Sequence, residues 1–78
     1  MTHFKLEITR PYSYQVELRV LKKVFGLWWS TETCWCVERF GEEGRLIEET
    51  VLMIEKFKSM YGLEEPDIIG SPYAKKIS

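Results

Sequence analysis

Two cysteines, one histidine and a run of glutamates are the side chains here that could do chemistry. Cys34 and Cys36 stand two apart in an alternating segment, so both thiols point to one face of a strand. In extended backbone that spacing is too long for a relaxed disulfide. They read as free thiols, which suggests a reducing cytoplasm. A C-x-C pair is half of a zinc site, but such a site wants four ligands, and the only histidine, His3, is a poor further partner. No metal and no cofactor is expected. Redox exchange fits less well still, because reactive cysteine pairs sit at helix N-termini that stabilise the thiolate. No serine lies in a nucleophile elbow, and neither cysteine has a base evident in the sequence. Glu42, Glu43, Glu48 and Glu49 read as a solvated helix face whose charges the helix dipole favours. No catalytic residue is assigned, and the chain is expected to be non-enzymatic.

The aromatic residues carry more information. Val24, Phe25, Leu27, Trp28 and Trp29 crowd the middle of a segment, Tyr14 to Phe40, that pairs with itself about a turn at Gly26-Leu27. Gly at the first central position suits a type II′ turn, which needs positive φ there. With Phe25 opposite Trp28, the pairs Val24 with Trp29, Val20 with Thr33, Leu18 with Trp35 and Val16 with Val37 fall on one face. Gln15, Glu17, Arg19, Lys23, Cys34, Cys36 and Glu38 fall on the other, and a one-residue slip would invert the two sets. The ribbon from Lys22 to Glu32 is expected to project past the rest of the sheet. Its tip then offers Phe25, Leu27, Trp28 and Trp29, with Lys22 and Lys23 beside them, as anchors for a protein partner. Two tamer roles are available to the same residues: Trp29 folded over the helix end against Tyr61 and Leu63, and Phe25 with Trp28 as a cross-strand aromatic pair.

The supporting elements follow from periodicity. Phe4, Leu6 and Ile8 alternate through residues 3 to 9, a half-buried strand. A loop at Arg10-Pro11-Tyr12 would set Ile8 opposite Tyr14, Leu6 opposite Val16 and Phe4 opposite Leu18. A helix is expected near Arg45 to Tyr61, with Ile47, Thr50, Val51, Ile54, Phe57 and Tyr61 as its apolar stripe and Leu46, Met53 and Met60 on the flank. Gly62 followed by Leu63 should cap it. Pro66, Gly70 and Pro72 around Ile68-Ile69 allow a short edge strand or an irregular peptide. The fold class is α+β: a three-stranded antiparallel meander with one helix on one face and a short C-terminal segment. Residues 1 to 73 form one domain and 74 to 78 a mobile tail.

Composition narrows the partners. The 78 residues carry 11 basic and 12 acidic side chains, so nothing draws the chain generally to phosphate. A single-stranded nucleic acid held by Arg19, Lys22 and Lys23 under Trp28 or Phe25 is a lesser alternative, because Glu17, Glu32 and Glu38 share the face. No stretch approaches the roughly 20 apolar residues of a membrane span, and the first residues alternate where a secretory leader would be apolar. Open strand edges offer another alternative, a small structural subunit assembling as a homodimer. The third strand is the better candidate, since Thr33, Trp35 and Val37 lie in a run without proline and with little charge.

An aromatic hairpin (VFGLWW) followed by an acidic amphipathic helix (EEGRLIEETVLMIEKFKSMYG) resembles the plan of many small accessory proteins of bacteriophages. The resemblance is one of architecture and covers most of the chain. It implies a compact cytoplasmic protein, in the host cytoplasm if viral, that binds and inhibits a host enzyme or defence complex.

Overall fold

The computed structural model describes residues 3 to 73; the expected tail, residues 74 to 78, lies outside them. Strands β1 (Phe4–Tyr12), β2 (Gln15–Val24) and β3 (Trp28–Glu38) form the antiparallel meander, helix α1 (Glu43–Tyr61) packs on one face, and a two-residue strand β4 (Ile68–Ile69) completes the sheet. The order across the sheet is β3-β2-β1-β4, with β4 parallel to β1. The α+β plan expected from alternation is thus the one observed.

Even-numbered side chains of β1 and β2 face the helix. Leu6, Ile8, Val16, Leu18 and Val20 are buried there, with Val37 of β3, beneath Leu46, Ile54 and Phe57 of α1, and Leu63 closes the core. The helix stripe is turned slightly from the expected one: Leu46 is fully buried, while Ile47 and Val51 are half-buried. Thr50, fully buried, satisfies its hydroxyl by donating to the Leu46 carbonyl at 2.7 Å, inside its own helix. Gly62 adopts the left-handed cap conformation and Leu63 is buried beside it, as the sequence suggested.

Two registers differ from expectation. β1 pairs with β2 four residues further along, with Leu6 opposite Val20 and Ile8 opposite Leu18, and it runs through Arg10 and Pro11 to a turn at Ser13-Tyr14. A side-chain period of two leaves the same residues on the same face after a shift of four, so alternation cannot distinguish these pairings. Pro11 is tolerated because the ladder is irregular between Thr9 and Tyr12, where a missing N–H costs no bond. In the hairpin, pairing matches expectation from Gln15–Glu38 to Val20–Thr33, then slips: Leu21 faces Thr31, and Glu32 is an extra residue on β3.

Arg10 continues the inward series of β1. Its side chain is only 3% exposed and ties together separate parts of the chain: the Ser13 carbonyl at 2.8 Å, the Glu43 carboxylate at 2.8 Å and the Pro72 carbonyl at 3.3 Å. Glu43 begins α1, so the guanidinium joins the β1–β2 turn, the helix start and the C-terminal segment. Gly70 lets that segment approach closely, since a Cβ there would lie 2.3 Å from the Ile8 carbonyl oxygen at a φ of +96°.

Candidate functional site

The bulge decides what the hairpin tip looks like. By adding Glu32, it moves the turn one residue toward the N-terminus, so the central residues are Phe25 and Gly26, with φ of 53° and 68°, and the Leu27 N–H donates to the Val24 carbonyl at 2.9 Å. Both central residues are left-handed, as in a type I′ turn, which corrects the type II′ turn expected at Gly26-Leu27. Phe25 therefore holds a backbone conformation that costs a non-glycine residue about 1 kcal/mol.

The same slip exchanges the faces of the tryptophans. Val24 now faces Trp28 and Lys23 faces Trp29. Trp28 is on the helix side, meeting Phe25 edge-on with ring centroids 6.0 Å apart; the two rings touch, but Phe25 lies in the turn and Val24 is the strand partner of Trp28, so they are not the cross-strand pair expected. Trp29 is on the outer sheet face, not over the helix end. There Lys5 Nζ lies 4.3 Å from its ring centroid, Lys23 Nζ lies 5.3 Å away, and the His3 ring is 5.7 Å distant. The two lysines give Trp29 cation–π contacts on the outer face that follow from the slip.

Support ends close to the tip. The His3 carbonyl accepts the Lys23 N–H at 2.9 Å, and Tyr61, the last helical residue, packs on Phe4, whose partner in β2 is Lys22. The unsupported part is therefore Val24 to Trp28, shorter than the Lys22 to Glu32 ribbon expected from the sequence, because β1 reaches further along β2. Within it Phe25 is 86% exposed, Leu27 76% and Trp28 52%. Lys22, opposite Ser30, is also exposed, and with Lys23 it puts positive charge at the base of the tip.

A second exposed feature is the outer edge of β3. The Arg39 N–H donates to the Tyr14 carbonyl at 2.8 Å, and alternate residues turn their amides the same way, so Thr33, Trp35 and Val37 give their backbone groups to β2. The groups that face outward belong to Cys34, Cys36 and Glu38. Thr33, Trp35 and Val37 instead present side chains to the helix side, the face expected for them, and Trp35 is half-buried at the core margin. Beside them runs an open groove of about 530 Å³ between β3 and α1, lined by Trp35, Val37, Leu52 and Met53 with Arg39 and Glu49 at its rim. Arg39 and Glu49 are ion-paired at 3.1 Å.

The remaining chemistry is dispersed. Both cysteines are free and exposed on the outer face of edge strand β3, and His3, at the start of β1 and away from them, stands 3.6 Å from Asp67. Among the described residues no three His, Cys, Asp or Glu side chains converge as a metal site requires, and no helix is long and apolar enough to cross a membrane. Sequence reasoning missed Lys5 and His3 as neighbours of Trp29 and Leu52 as a groove residue. Only the β1 register could have placed the first two, and Leu52 stood off the helical stripe. No family model, curated protein or solved structure matches the chain.

Proposed function

We propose that this protein is a non-enzymatic binder of another protein that engages its partner through the hairpin tip, as an inhibitor of the kind its resemblance to bacteriophage accessory proteins implies, acting on a host enzyme or defence complex in the cytoplasm. One observation carries the reading: Phe25, Leu27 and Trp28 stand exposed together where neither β1 nor α1 reaches. Large apolar side chains grouped on a projection lower solubility without adding core, and aromatic anchors of this type dominate interface energetics. The left-handed Phe25 adds weight, since strain at an exposed residue persists where function selects the conformation. The test is capture from a host lysate with wild type, Leu27→Asp and Lys56→Ala in parallel. The reading expects a partner held by wild type and by Lys56→Ala, an exposed helix substitution, and lost with Leu27→Asp.

A second reading is favoured by the Trp29 corner, where Lys5, Lys23 and His3 surround an indole on a bare sheet face. Such a corner suits a single-stranded nucleic acid, with phosphates on the lysines and a base against the ring. A labelled oligonucleotide that binds at physiological salt, weakens steeply as salt rises and is lost on Lys5→Glu with Lys23→Glu would replace the first reading by this one.

A further inference from the structure

The edge of β3 is the one long side of the sheet that no strand covers among the described residues, and its outward backbone groups sit on Cys34, Cys36 and Glu38. A strand that pairs there must match these groups and place its own side chains over the groove. We infer that the occupant is a second copy of this chain, its β3 pairing antiparallel with Cys36 opposite Cys36 of that copy. The inference is independent of the tip reading.

Self-complementarity of charge and side-chain type selects this partner and register. Antiparallel neighbours share a face, so β3 pairs with itself only about a residue, and the candidates within the straight part are few. Centred on Trp35, Glu38 would face Glu32 of the second copy, a like-charge opposition beside a bulge. Centred on Val37, Phe40 and Gly41 beyond the strand would have to join the ladder. Centred on Cys36, Glu38 faces Cys34, Arg39 faces Thr33 and Trp35 faces Val37, so no like charges meet and apolar meets apolar. The outward amides and carbonyls of Cys34, Cys36 and Glu38 then all find partners.

The helices complete the argument. α1 lies over β2 and β3, and a two-fold axis between the two β3 strands, perpendicular to the sheet, brings the second helix to the same face. Leu52, 64% exposed in the single chain, and half-buried Met53 face the groove that the second helix would fill. The result is an eight-stranded sheet with two helices on one face. Its two tips point away from each other, about 50 Å apart at roughly 3.3 Å per residue from Cys36 to Trp28 on each side.

Sedimentation of the reduced protein over a range of concentrations gives the first readout, with a mass of twice 9.3 kDa expected. Charge placement gives the register. Cys36→Lys opposes two ammonium groups at the axis and should weaken the dimer on the order of fivefold or more, whereas Cys34→Lys faces Glu38 and should not weaken it. Both positions are exposed, so circular dichroism should show each variant folded. Opposite residues of a hydrogen-bonded pair stand about 5.5 Å apart at Cα, inside the range a disulfide spans. Copper phenanthroline under air, which takes one electron from each thiol, should therefore link Cys34→Ser through Cys36 and leave Cys36→Ser unlinked. A monomer at all concentrations would overturn the inference, as would linkage through Cys34 alone or equal weakening by both lysines.

Discussion

The two long edges of this sheet are treated in opposite ways. Along β1, Ile68–Ile69 adds a parallel strand opposite Leu6 and Glu7, Gly70 lies against Ile8, and Arg10 reaches through to Pro72, so the middle of that side is covered by the chain itself. Along β3 the amides of Cys34, Cys36 and Glu38 face outward, the neighbouring groove exposes Leu52 and Met53 between charged rims, and the strand leads to an exposed aromatic tip. The side left open carries the surfaces available to other molecules.

The contrast can be broken or sharpened by substitution. Leu18→Ala, in the core shared by both sides, should have the largest effect, about 2 to 5 kcal/mol in chemical denaturation, because Leu18 is fully buried. On the closed side, Gly70→Ala should cost about 2 to 3 kcal/mol, since it combines a strained φ with a collision against backbone. Its amide exchange should rise selectively along β4 and the facing part of β1. Unchanged exchange there would mean that the C-terminal strap does not hold the edge. Arg10→Met should cost roughly 1.5 to 3 kcal/mol through its charged hydrogen bonds, and the loss should appear as one cooperative transition because turn, helix start and strap are tied to one group.

On the open side the effects should be smaller. Trp35→Ala should cost about 2 kcal/mol, less than for an enclosed tryptophan, because half-burial leaves part of its surface wet. A cost as large as that of Leu18→Ala would show the groove to be part of the core of the single chain.

Much of this fold is legible in the sequence, and the gaps have physical causes. The hydrophobic alternation of Val16, Leu18, Val20 against Val37, Trp35, Thr33 fixed which faces meet, and Gly62-Leu63 marked the helix end. Register of β1 was not legible, because Phe4, Leu6 and Ile8 keep their face under any even shift. Arg10 continues that inward series, yet its charge and the following proline look like a loop until the register is known. The composition of the tip was legible, but the side taken by each tryptophan was not. That depended on one extra residue, Glu32, whose bulge leaves no compositional mark. The strap was visible only as Pro66, Gly70 and Pro72, since two paired residues are too few to show a period.

The most direct measurement pairs stability with binding for one residue of the tip. Trp28→Ala should shift the melting temperature by no more than a few degrees, the equivalent of less than about 1 kcal/mol in a domain of this size. In the same preparation it should lose the partner that wild type retains, because Trp28 lies beyond the reach of β1 and α1. A Trp28→Ala protein that unfolds, or one that stays folded and holds its partner as wild type does, would contradict the assignment of the tip to binding.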